Sequence, residues 1–217
     1  MKLARGDLIE YVSLDIFCRI KDPILNEFLK VWGRLAMERQ NPDRVENEML
    51  RKSQEMQNRF HEYKGYLAEV CMIQVLWNGQ GKTLPGKYFH SDADIVMPHR
   101  FFFIDQRHRP GAGENMEVDI HAAAGKDVWL AESKWWKRPV GRDVVENLLE
   151  QAEMMMQRDG KYLRTPRLWI FAYNGVTAKA AELIRKHGIL WSSRAELDGL
   201  LKKVGLRKLP ELEEKSG

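Results

Sequence analysis

Cysteine is scarce: the 217 residues hold two, Cys18 and Cys71, each inside an apolar segment. That excludes a disulfide framework and a cysteine-based zinc site, and makes a reducing, cytoplasmic setting the expectation. Long hydrophobic runs are missing too. No stretch approaches the roughly 18 apolar residues of a spanning helix, so no membrane association is expected. The start, MKLARGDLIEYV, lacks the apolar core of a signal peptide. Internal repeats and low-complexity tracts are absent. So is a nucleotide-binding phosphate loop, despite NGQGKTLPG: that loop needs a glycine five positions before Gly81, where Leu76 stands. The segment also follows a helical pattern instead of a strand, and Pro85 blocks the helix that should come next.

What is present is a soluble globular composition, 44% apolar and 30% charged, with length for one sizeable domain or one domain and a smaller attachment. The net charge of +4 leans only weakly towards polyanionic partners. Its distribution says more. Lys134, Lys137, Arg138 and Arg142 crowd around the strand-like stretch VWLAESKWW, whereas the terminal PELEEKSG reads as a solvated acidic end.

Along the chain, residues 1–40 form a leading piece too small to own a core. Asp22-Pro23 opens a helix there, with Asp22 as cap and Pro23 in the first turn. After the polar ERQNPDR, apolar residues step at helical intervals through Val45, Met49, Met56, Phe60, Tyr63, Leu67, Val70 and Trp77, predicting one long helix with that stripe buried. Asn78-Gly79 should end it. Gly65 inside the helix costs about 1 kcal/mol against alanine, so close backbone packing is expected at that point. Residues 79–113 are loop-rich. RFFFIDQRH, NMEVDIHA and VWLAESKWW then read as an antiparallel meander joined by PGAG and AAGKD turns. A helix over GRDVVENLLEQAEMMMQR, a buried strand LWIFA, a helix capped by Thr177 and ended by Gly188, a short strand ILWSS and a last helix complete the pattern. The class is α/β: a mixed β-sheet flanked by helices in the order α-β-β-β-α-β.

Strand alternation puts Val128, Leu130, Glu132 and Lys134 on one face, so that face starts apolar and turns ionic. A solvent-facing ion ladder would not begin on Val128 and Leu130. In the preceding strand Glu117, Asp119 and His121 share a face, and the AAGKD turn brings Asp119 towards Glu132 and Lys134. Glu117 and His121 read as solvated neighbours. Two carboxylates and a lysine at a sheet end suit a hard divalent cation, because the metal offsets their mutual repulsion. Trp135 and Trp136 point to opposite faces; one belongs to the core, leaving Trp136 to stack on bases, and Lys137, Arg138 and Arg142 to contact phosphates.

The spacing EVD…ESK, Asp119 then Glu132 and Lys134, resembles the signature of the PD-(D/E)XK (restriction-endonuclease-like) nuclease superfamily. Glu69, in YKGYLAEV, matches that superfamily's first-helix glutamate, and the element order matches its core. With LIEY…IKDPILNEFLKVW included, most of the chain looks like the C-terminal region of archaeal-type AAA ATPases, where a winged-helix segment precedes a nuclease-like domain. The resemblance implies that residues 1–40 are the end of a winged-helix segment, 44–210 a nuclease-like domain and 211–217 a tail. It implies Mg²⁺, with Mn²⁺ as substitute, held by Asp119, Glu132, the Ser133 carbonyl and Glu69, with Lys134 activating water and stabilising the phosphate. DNA is the implied partner, alongside an AAA ATPase module in the same or another chain, with homodimerisation left open. The alternative is a catalytically silent DNA-binding or regulatory domain. Two positions depart from the pattern: Val118 stands where a proline precedes the aspartate, and Met155 stands four residues after Gln151 where some branches carry tyrosine. Gln151 is therefore left outside the expected site.

Overall fold

The alternating segments FIDQRH, VDIHAAA and DVWLAESK do form a meander. In chain order they are β5 (Phe103–His108), β6 (Val118–Ala124) and β7 (Asp127–Lys134), paired antiparallel. The computed structural model describes residues 9–13, 17–20, 23–108 and 117–212. The chain divides into two units, Met1–Arg59 and Phe60–Gly217.

The first unit holds an antiparallel hairpin, β1 (Ile9–Ser13) with β2 (Phe17–Ile20), and helix α1 (Pro23–Trp32), which starts on proline as expected. Its proposed cap, Asp22, lies outside the described residues, as does the tail from 213 onward. A π-helical turn, Gly33–Met37, follows; Arg34 then bonds Gln40 at 2.9 Å and Glu48 at 2.5 Å. Helix α2 (Pro42–Gly79) begins in this unit, continues into the second, and ends at the glycine where the sequence places its stop.

In the second unit β7 is the pivot of a five-stranded sheet ordered β5-β6-β7-β8-β9. To one side lies the meander. To the other, β8 (Arg167–Ala172) and β9 (Leu190–Ser192) run parallel, each reached through a helix, α3 (Arg142–Asp159) and α4 (Ala178–His187). Helix α4 begins on Thr177, whose side chain accepts from the Ala180 N–H at 3.3 Å, and stops at Gly188 with φ +63°. Helix α5 (Arg194–Lys203) starts on a Ser193–Glu196 capping box.

Helices cover both faces, so both faces are apolar. Val128, Leu130, Leu168 and Ile170 pack with α3 and α4, whereas Ile120, Trp129, Trp169 and Phe171 pack with α2 and α5. The buried stripe of α2 is the expected one only in part: Val45 is buried and Leu67 and Val70 are half-buried. Lys64, Ala68, Met72, Val75 and Leu76 are inside, while Met56, Tyr63 and Trp77 are exposed. The small Ala68 lets this helix approach the sheet, a geometric advantage that a search for bulky residues overlooks. Gly65 also departs from expectation: a Cβ there would meet nothing within 4 Å, so no close packing requires glycine. The loop-rich 79–101 stretch, with its short ladder β3 (Thr83–Leu84) and β4 (Ile95–Val96), proves to be core material. Phe89 meets Trp169 edge-on at 5.4 Å and Phe101 meets Trp129 at 6.5 Å, both phenylalanines fully buried.

Candidate active site

The tight turn at Gly125, where φ is +67°, fixes the β6–β7 register, with Ala124 opposite Asp127 and Ile120 opposite Ala131. One step further, the same register sets Asp119 across from Glu132. There the ladder gives way: the Asp119 Oδ2 accepts the Ser133 N–H at 2.8 Å, taking a donor that would otherwise continue the backbone pairing. A side chain has replaced a carbonyl at the ladder's end, which locks that carboxylate beside Glu132. Lys134 completes the group; its Nζ hydrogen-bonds Glu132 Oε1 and stands 3.8 Å from Asp119 Oδ2. The side chains of Asp119, Glu132 and Lys134 are 17%, 14% and 21% exposed, a depth at which charges interact strongly.

The electrostatics follow from that crowding. Burial, then the neighbouring Asp119 charge, pushes the Glu132 carboxyl up to about 7 despite Lys134. Asp119 is raised as well, chiefly by burial, against the pull of Lys134 and the Ser133 N–H. Burial works to lower Lys134, but Glu132 and Asp119 outweigh it and its ammonium is held above its ordinary value. Glu132 Oε2 is buried with no hydrogen-bond partner. A buried acceptor with surplus negative charge around it suits a hard cation, so Asp119 and Glu132 fit Mg²⁺.

Glu69, the third expected oxygen ligand, has partners of its own. It is 4% exposed on α2, which packs on the sheet face opposite the one Val128 and Leu130 serve. Its carboxylate accepts from Gln106 Nε2 at 2.7 Å and from Arg107 Nε and Nη2 at 3.2 and 3.4 Å. It is close enough to raise both Asp119 and Lys134. Among the described residues no group of three or more histidine, cysteine, aspartate or glutamate side chains is placed to hold a metal ion. The Ser133 side chain is buried, with its Oγ unpartnered.

The basic flank divides. Trp135 packs into the α2-side core and stacks on Tyr173, with centroids 4.8 Å apart. Trp136 packs towards α3 and α4, with Arg138 5.0 Å and Lys134 5.7 Å from its ring centre, so the ring links the ionic cluster to the flank. Lys137 and Arg138 are exposed, on a turn held by Asn174, whose Nδ2 donates to the carbonyls of Trp136 and Lys137 at 2.9 and 2.8 Å. Arg142 is 61% exposed but paired with Glu146 at 2.7 Å, one helical turn on. His121, expected to be solvated, is buried and edge-on to Phe103 at 5.0 Å.

Two groups escaped the sequence reading. Gln151, set aside for its missing tyrosine, donates from Nε2 to the Glu117 carbonyl at 3.1 Å and thereby holds the chain two residues before Asp119. Arg107 is the other; nothing in its sequence context separates it from the chain's many basic residues.

No family model and no curated protein matches this chain. Two solved structures overlap part of it. One is an EndoMS–dsDNA2 complex, at 19% identity and TM-score 0.33 over 42% of this chain and 36% of that one. The other is a protein of unknown function, AF1548, at 17% identity and TM-score 0.38 over 54% of this chain and 65% of that one. The chain thus spans less than two thirds of either neighbour. What the molecule shows in its own topology is a mixed α/β fold whose five-stranded sheet, flanked by helices, is compatible with a restriction-endonuclease-like core.

Proposed function

We propose that this chain is a metal-dependent nuclease-like domain that hydrolyses phosphodiester bonds of DNA. One observation carries the reading: Asp119 and Glu132 face each other at the end of a buried ladder with Lys134 between them, and Glu132 Oε2 has no partner. A domain that only contacted a polyanion would gain little from two buried carboxylates aimed at it.

In this reading Asp119, Glu132 and the Ser133 carbonyl hold Mg²⁺, or Mn²⁺ in its place. When bound, the ion supplies Lewis-acid polarisation of a phosphoryl oxygen and a nucleophilic water. Lys134 stays charged, orients that water and offsets negative charge developing on the phosphate. Glu132 must shed its proton to bind a cation, so its elevated pKa ties competence to neutral or alkaline pH. Lys137 and Arg138 contact the backbone, Trp136 offers a ring edge for a base, and Arg142 contributes once released from Glu146.

A second reading is a silent DNA-binding or regulatory domain. The observation favouring it is the internal neutralisation of the site, with Lys134 on Glu132 and Arg107 on Glu69. An AAA ATPase module as partner, homodimerisation and a cytoplasmic setting rest on the sequence alone; among the described residues no helix is long and apolar enough to cross a membrane. The deciding experiment is cleavage of plasmid and single-stranded DNA with Mg²⁺ or Mn²⁺ by wild type, Glu132→Ala and Lys134→Ala. We expect wild-type cleavage and a loss on the order of 10²–10³-fold in each variant. Activity unchanged in both variants sinks the catalytic assignment, and metal-insensitive binding without cleavage selects the silent domain.

A further inference from the structure

Arg107 is placed with unusual constraint. It sits in β5 with φ +53°, a left-handed backbone that non-glycine residues adopt at a cost and that this chain also shows at Arg39 and His90. Its guanidinium forks onto Glu69 through Nε and Nη2, at 3.2 and 3.4 Å, and half of the side chain remains in solvent. Glu69 is buried and takes Gln106 as well, so three N–H donors already occupy its two oxygens. The fork uses one edge of a planar group carrying five N–H donors. Nη1 and the second Nη2 hydrogen lie outside it, forming the end-on edge with which arginine grips phosphate.

The location fits that use. The β5–β6 register, with Gln106 opposite Ile120 and His108 opposite Val118, sets Arg107 across from Asp119. A phosphodiester drawn to a cation at Asp119 and Glu132 would otherwise meet a wall of carboxylates, and Arg107 offsets that repulsion at the rim.

Resting on the phosphodiester-directed reading above, we infer that Arg107 is a phosphate-binding arginine of this site and that Glu69 is its positioning residue, not a metal ligand. The role that the nuclease resemblance assigns to Glu69 is thereby replaced.

The test separates metal affinity from DNA affinity, using the full chain. Binding of fluorescently labelled duplex and single-stranded DNA is followed by anisotropy in EDTA across a salt titration, and Mn²⁺ binding by calorimetry without DNA. Arg107→Ala should weaken DNA binding roughly ten-fold and flatten the slope of log K against log salt by about one. Arg107→Lys, which keeps the charge but not the fork, should restore the slope and only part of the affinity. Glu69→Gln should weaken DNA binding much as Arg107→Ala does while leaving Mn²⁺ affinity within about two-fold. The reverse result, a Mn²⁺ affinity lowered ten-fold or more with DNA binding intact, restores Glu69 as a ligand and overturns the inference. So does a pair of Arg107 variants that bind like wild type. Wild-type protein that binds no DNA overturns the phosphodiester reading itself, and this assignment with it, a result distinguishable from the other two.

Discussion

Two carboxylate–cation clusters flank the Asp119 end of β6, one towards β7 and one towards β5, and they are balanced differently. In the first, Asp119 and Glu132 share a single lysine, all three side chains at least 79% out of solvent, and one carboxylate oxygen has no partner. In the second, Glu69 has one arginine and an amide to itself, every oxygen engaged, and the arginine half in water. The first is short of positive charge and the second is satisfied. On the proposed function, an incoming cation would gain most at Asp119 and Glu132, whereas the Glu69 cluster would have only its arginine to offer, outward, to an anion. Glu69 is the more deeply buried acid, so burial alone does not set what each can bind; what decides is how many cations each already has.

Breaking the first cluster should produce the largest effect on stability. Lys134→Met leaves two carboxylates facing each other without their counter-ion, and removing one partner of a buried pair costs about 3–5 kcal/mol. Urea denaturation at pH 8 should show that loss. At pH 5, where Glu132 is already protonated in the wild type, the difference should shrink. An equal loss at both pH values would mean that packing of the lysine stem, not its charge, matters.

The wild type should display the same imbalance more gently. The folded state holds the Glu132 proton more tightly than the unfolded chain does, because its pKa rises from 4.5 to about 7. Stability from this group is thus fully present below about pH 4.5 and is lost as pH rises through about 7, on the order of 3 kcal/mol in all. Asp119, also raised, acts in the same direction. Urea midpoints between pH 4.5 and 8 should therefore fall, and millimolar Mg²⁺ should flatten the fall by favouring the ionised pair. A flat metal-free profile would show that Lys134 already compensates both acids.

Much of the first cluster was legible in VWLAESKWW, because β-alternation is rigid. Once Val128 and Leu130 face a core, Glu132 and Lys134 must continue the same face, and a short turn carries Asp119 to them. The fold was legible for the same reason: each element announces its period, and Thr177, Gly188 and Gly79 mark ends by chemistry local to a few residues. The second cluster was not legible. Glu69 and Arg107 lie 38 residues apart on elements that meet only after the sheet is built. Nothing within one period of either names the other. The helix face of α2 failed by one residue for a related reason. Leu67 and Ala68 are neighbours in sequence, and only the sheet's demand for a close approach selects the smaller side. Phe89 and Phe101 hid inside a loop-like composition because their partners, Trp169 and Trp129, come from distant strands.

The smallest effect sharpens the comparison from α2 itself. Gly65 lies one helical turn before Glu69, with nothing within 4 Å of where a Cβ would stand. Gly65→Ala should therefore stabilise the protein by up to about 1 kcal/mol, since alanine loses less backbone freedom in a helix interior. For a chain of this size that corresponds to a rise in Tm of roughly 2–4 °C, measurable by calorimetry. If the Glu69–Arg107 cluster is held by its own hydrogen bonds, stiffening the helix one turn away leaves metal-free DNA affinity unchanged. If Glu69 must instead swing towards Asp119 and Glu132 to take a metal, α2 has to yield near Gly65, and the alanine variant should be more stable yet bind Mn²⁺ more weakly. Stability and affinity then move in opposite directions, and that divergence would place Glu69 in the first cluster after all.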